Sequence, residues 1–88
     1  MSNLATISVQ PNVEYQNLAT LAGVTFTSGT TYVIQISGEV LVSEKSTKPT
    51  EGGFYIHDDR PFEFVAGSDP LWIKNLREFN AAIVNIAD

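Results

Sequence analysis

Residues 31–42 read TYVIQISGEVLV, and the fold is decided there. Side chains of an extended strand alternate between its two faces, so Tyr32, Ile34 and Ile36 share one face while Val33 and Gln35 take the other. Residues 31–36 are therefore expected as a half-buried strand. Ser37-Gly38 follows as a turn signal, and the stretch reads as a tight hairpin returning through Val40, Leu41 and Val42, with Gly38 supplying the positive φ.

The same pattern continues in both directions. Residues 6–9, 24–27, 40–43, 54–57, 62–65 and 71–75 read as further strands, with Phe62 and Phe64 on one face opposite Glu63. Turn signals separate them: Pro11-Asn12, Ser28-Gly29, Lys48-Pro49 with Gly52-Gly53, Asp58-Asp59-Arg60-Pro61, and Gly67-Ser68-Asp69-Pro70. Val, Ile and Thr number 8, 7 and 8, and 9 aromatics bring the strand-favouring residues to 32 of 88. The expected fold is all-β, a small antiparallel β-sandwich or barrel with an extended N-terminal segment. Residues 1–30 read as an N-terminal arm carrying the first strands and suited to contacts between subunits, and residues 31–88 as the sandwich core, one domain overall.

Two stretches read both ways. Residues 17–22 fit a helical turn or a strand, and Gly23 ends either. Leu76, Phe79, Ile83 and Ile86 have helical spacing, whereas Ala82, Val84 and Ile86 alternate as in a strand; a turn over 77–80 and a closing strand over 82–86 is preferred.

An 88-residue chain buries only about 60–65% of the surface its unfolded form exposes, and this one has no cysteine to staple it. Association with other subunits is the natural remedy. Charged residues are 17% of the chain, and residues 1–38 contain only Glu14 among them, so 14 of the 15 charges lie from Glu39 onward. Desolvating a charge costs several kcal/mol, whereas hydroxyls and amides pair readily, so an uncharged segment suits a protein contact; a Thr-rich β surface is the plainer explanation.

A net charge of −5 with five scattered cations offers no basic stripe for phosphates, so no nucleic-acid partner is expected. MSNLATISVQPN has neither a basic nor an apolar leader region, and no apolar run approaches membrane-spanning length, so no membrane partner is expected either.

Chemistry-bearing groups are sparse. His57-Asp58-Asp59 invites a metal or acid-base reading, but neighbours on a strand point to opposite faces and no second His or Cys completes a tetrahedral set. Asp-Asp-Arg-Pro is good turn chemistry, which is the preferred reading. No nucleophile elbow and no Gly-Lys-Ser/Thr phosphate loop occurs. No catalytic residue, cofactor or metal is expected. Gly52-Gly53 reads as a flexible lead into the next strand, and residues 44–53 (EKSTKPTEGG) as a long exposed loop.

With Tyr32, Ile34, Ile36, Phe54, Ile56, Phe62, Phe64, Leu71 and Ile73 pointing inward, alternation turns Val33, Leu41, Tyr55 and Trp72 outward. Such a partly apolar outer face is the expected interface. Trp72 or Tyr55 beside Asp58, Asp59 or Glu51 offers a second use, stacking a glycan ring and bonding its hydroxyls, although a lone Trp is more often a core or interface anchor.

Over residues 32–88 the order of these elements resembles a loose group of small tailed-phage virion proteins. Its strand ending at a glycine, short V-x-V-x-E strand, P-x-x-G-G loop, F-x-F strand, G-x-D-x-L-W-x-K strand and final apolar strand correspond to residues 34–38, 40–44, 49–53, 62–64, 67–74 and 82–86. The first 30 residues lie outside it, and Asp58-Asp59-Arg60-Pro61 departs from a Pro-Gly-Glu-like turn. The matched positions are turns and core residues, which bear on fold more than role. What the resemblance implies is a non-enzymatic virion component, made in the host cytoplasm and placed in the virion: a head decoration or cement protein, or a piece of tail, fibre or neck. Its partners would be copies of itself and other capsid or tail proteins, with a tail-associated glycan-binding module as the alternative.

Overall fold

The structure is a computed structural model that describes residues 3–11, 14–57 and 60–88. Among these, the order of elements is β1 (Asn3–Val9), β2 (Gln16–Asn17), α1 (Leu18–Ala22), β3 (Thr31–Ser37), β4 (Val40–Glu44), β5 (Phe54–Ile56), β6 (Pro61–Val65), β7 (Leu71–Asn75) and β8 (Ala82–Ala87). They build two four-stranded sheets, β1-β8-β3-β6 and β2-β7-β4-β5, in which all pairings are antiparallel. The chain is the expected all-β sandwich.

The strand order has a simple origin. β1 pairs with β8, β2 with β7, β3 with β6 and β4 with β5, as in one long antiparallel hairpin folded back on itself. Rolling that hairpin joins β3 to β8 in one sheet and β4 to β7 in the other. This is jelly-roll topology. The tip of the hairpin is the hydrophilic stretch between β4 and β5.

Alternation fills the space between the sheets. Ile34 and Ile36 of β3 face Ile86 and Val84 of β8, and Val40 and Ile73 oppose them from the second sheet, all fully buried. Each such side chain contributes about 1.5–3 kcal/mol of transfer free energy. Val9 and Leu18 complete the same cluster, so the core draws on the first thirty residues as well as the rest. Asn75 is the buried polar residue among them. Its amide donates to the carbonyls of Val9 (2.9 Å) and Asn80 (2.8 Å), and its Oδ1 accepts from the Arg77 amide (2.9 Å), tying the β7–β8 turn to the end of β1.

Residues 17–22 resolve into a strand residue followed by a helical turn: Asn17 caps α1 by accepting from the Thr20 amide, and Gly23 closes it in the left-handed region. The closing strand falls where expected, preceded by a bend over residues 78–80.

Three expectations are corrected. Ser37-Gly38 does not close a hairpin, because β3 and β4 lie in different sheets; Gly38 has a positive φ, but it carries the chain across the sandwich, where a Cβ would sit 3.1 Å from that of Ala82. Residues 24–27 form no strand. They are held instead by side chains, since Phe26 packs edge-on against Tyr32 (4.8 Å) and Phe64 (5.4 Å), and the Thr27 amide donates to the Tyr32 hydroxyl. Phe54 has inward register opposite Val42, yet it is 76% exposed, because β5 is an edge strand beside an open flank of the sandwich. Asn12, Asp58 and Asp59, on which two of the expected turns depend, lie outside the described residues.

Candidate functional site

The two sheets present very different outer faces. On the β1-β8-β3-β6 sheet, Thr6, Asn85 and Gln35 form one cross-strand row, Ser8, Ile83 and Ser37 the next, and Ala87, Val33 and Glu63 a third, while Thr31 lies opposite Val65. Thr6 donates to the Asn85 amide oxygen at 2.7 Å, so the row is knit by uncharged polar groups. Glu63 is the one ionisable side chain in these rows, and it stands on the edge strand β6. The charge-poor residues 1–38 contribute both β1 and β3 to this face. Surfaces turned to water usually carry about 25–35% charged side chains, so a face this bare is suited to another protein surface.

On the β2-β7-β4-β5 sheet, the chain covers part of the outer face itself. Tyr15 is buried but is not part of the cluster between the sheets. Its hydroxyl donates to the Gly52 carbonyl, and Gly53 holds φ 119° where a Cβ would lie 2.5 Å from that hydroxyl and 2.9 Å from the Val42 carbonyl. Only glycine fits there. Gly53 is therefore a close-packed support rather than part of a flexible lead, and Gly52 contributes its carbonyl to the same contact. Lys48 bonds Glu14 at 2.9 Å, Pro49 is buried, and the Trp72 indole N–H donates to the Lys45 carbonyl at 3.0 Å. Although most of its side chains are exposed, the hairpin tip is pinned at four points rather than loose.

Two pKa directions follow. The Lys48 ammonium, bonded to and attracting the Glu14 carboxylate, holds it below the usual carboxylate range. Burial pushes the Tyr15 hydroxyl above its ordinary value.

The four expected interface residues separate in space. Val33 lies on the charge-poor face, whereas Leu41, Tyr55 and Trp72 belong to the other sheet, where Leu41 pairs with Tyr55 and Trp72 with Ser43 and Asn17. Trp72 is half-buried and engaged by the hairpin tip. Tyr55 is half-exposed, stacks on His57 with ring centroids 4.6 Å apart, and donates from its hydroxyl to Glu39 at 3.0 Å. Beside it, a depression of about 300 Å³ is lined by His57, Arg60 and Phe62. Among the described residues no group of three His, Cys, Asp or Glu side chains converges as for a metal ion, and no helix is long and apolar enough to cross a membrane.

A further feature was not singled out from the sequence. The edge strands β5 and β6 border a cleft of about 410 Å³, lined by Val42, Phe54, Ile56, Phe62, Phe64 and Leu71, with Glu44 and Glu63 at its margin. The exposed ring of Phe79, 86% accessible in the β7–β8 turn, is the second apolar feature that alternation did not reveal. Both arise where the period-2 pattern stops, at an edge and in a turn.

Comparison with protein-family models, curated proteins and solved structures finds no match for this chain.

Proposed function

We propose that this protein is a non-enzymatic structural subunit of a tailed-phage virion, acting as a head decoration, cement or assembly protein through contacts with copies of itself and with other virion proteins. The observation that carries the reading is the outer face of the β1-β8-β3-β6 sheet, four strands wide with Glu63 as the one ionisable side chain in its cross-strand rows. Support also comes from the sequence resemblance over residues 32–88 and from the topology, since jelly rolls recur in capsid proteins. They recur in lectins and cupins too, so topology alone assigns no role. In this reading the protein needs no cofactor, nucleic acid or membrane, and it resides in the virion after synthesis in the host cytoplasm.

The test is imaging of intact particles at a resolution that shows neighbouring subunits. The protein is expected at ordered positions with its charge-poor sheet face against another protein; its absence from purified particles overturns the reading.

A second reading, a tail- or fibre-associated glycan-binding module, is favoured by one observation: the half-exposed Tyr55 ring stacked on His57 above a polar depression. Trp72 supports it less, since its N–H is already engaged. Saturation-transfer NMR with host surface sugars tests it; no transfer from Tyr55 to any of them excludes the module.

A further inference from the structure

The β5–β6 cleft and the β7–β8 turn carry complementary features on different parts of the same subunit. In the cleft, Val42 and Glu44 are successive inward positions of β4, with Phe54 opposite Val42 and Leu71 opposite Glu44. Apolar side chains therefore give way to a carboxylate within two residues, about 6.6 Å along the strand. The Glu44 carboxylate has no ion pair or hydrogen bond among the described residues, and the two charged side chains lining the cleft, Glu44 and Glu63, are both acidic. An occupant must bring an apolar group and, two residues away, a cation.

The β7–β8 turn supplies that pair. Phe79 is 86% exposed, with Leu76 beside it at 40%, and Arg77 stands two residues before Phe79. The Arg77 guanidinium has no ion-pair partner among the described residues. An exposed Phe and an open apolar cleft each leave apolar area in water that docking removes, and aromatic and Arg side chains are the usual anchors of such contacts.

We propose that the β5–β6 cleft receives the β7–β8 turn of a second copy of this chain, Phe79 entering over Phe54, Phe62 and Phe64 and Arg77 pairing with Glu44. Cleft and turn are different surfaces, so the contact is head to tail: each added subunit presents a new empty cleft, and the series closes into a ring or grows as a filament. This deepens the subunit reading but rests on other residues than the charge-poor sheet face.

Sedimentation velocity over a micromolar to millimolar range tests it. The wild-type chain is expected to associate, and Phe79→Ser, Glu44→Arg and Arg77→Glu each to weaken association about tenfold or more, as truncation of an interface anchor does. All three positions are exposed, and unchanged thermal unfolding by circular dichroism certifies that the variants fold. The decisive arm mixes Glu44→Arg with Arg77→Glu, because every contact between unlike subunits then restores one positive and one negative partner. Association in the mixture stronger than that of either variant alone is the expected result. A monomeric wild type, variants that associate like wild type, or a mixture without recovery overturns the proposal. If these variants assemble normally while substitutions on the charge-poor face abolish assembly, the head-to-tail contact fails and the subunit reading stands.

Discussion

The outer faces of the two sheets are built from the same kind of strand, yet one is partly covered by the chain and the other is left bare. The covered face belongs to the sheet nearest the hairpin tip, where Tyr15, Trp72 and Gly53 hold residues 45–53 against it. The bare face draws on β1, β3 and β8, which carry no Asp, Glu, Lys, Arg or His. The comparison teaches that apolar or uncharged outward residues on the two sheets have different causes: on one they pack against the chain's own tip, and on the other they remain available to a second molecule.

The largest expected effect breaks the covered side. Tyr15→Ala removes a buried aromatic ring and its bond to Gly52, and is expected to destabilise the monomer by about 3–5 kcal/mol in urea unfolding. Gly53→Ala places a Cβ against the Tyr15 hydroxyl and the Val42 carbonyl at a φ that favours glycine, and should cost about 2–3 kcal/mol by the same measurement. If either change proves neutral, the hairpin tip is not a structural cover and the contrast between the faces dissolves.

Tyr15→Phe isolates the hydroxyl, with an expected loss of about 1 kcal/mol. It also changes the alkaline limb of stability. Burial raises the folded-state value of this hydroxyl above 10.0, so its contribution is fully present below that pH and is lost as pH rises through the folded value, when the unfolded chain releases its proton first. The Phe variant should show a shallower alkaline decline.

On the bare face, Val33→Lys should change monomer stability by no more than about 0.5 kcal/mol, as surface substitutions do, and under the proposed virion role it should abolish incorporation into particles. Particles that accept the variant normally would leave this face without a role. The smallest effect concerns Lys48→Met. The Glu14 carboxyl, measured by NMR titration, should rise toward its ordinary value. Because its folded value is lowered, its stabilisation is present above the unfolded value and lost as pH falls through the folded one, so wild type and variant should converge in acid.

Much of this architecture was legible from residue alternation. Strands β3, β4, β6, β7 and β8 fall within a residue or two of their expected places, because in each the buried side chains recur at every second position between turn signals. Alternation says which side of a strand is buried but not which sheet the strand joins. Val33 and Leu41 thus share an outward signature although they belong to opposite sheets, and the hairpin signal at Ser37-Gly38 marks a crossing between layers. Residues 24–27 look extended and β-prone, yet Phe26 finds its partners in Tyr32 and Phe64 before any strand offers a ladder. The cleft was illegible for a related reason. Phe54 carries the inward signature of a core residue, and only its position at a sheet edge leaves it exposed.

What the sequence determined by itself was therefore local: the all-β class, most of the strand positions, the break at Gly23, and a stretch through residue 38 in which Glu14 is the one charged side chain. These depend on side-chain period and backbone preference, which act between neighbours in the chain. The tertiary structure decided the rest, because rolling the hairpin brings residues far apart in sequence to one place. It alone set Tyr15 beneath Gly52 and Gly53, Phe54 beside an open cleft, and the outward side chains of β1, β3 and β8 in one nearly uncharged plane.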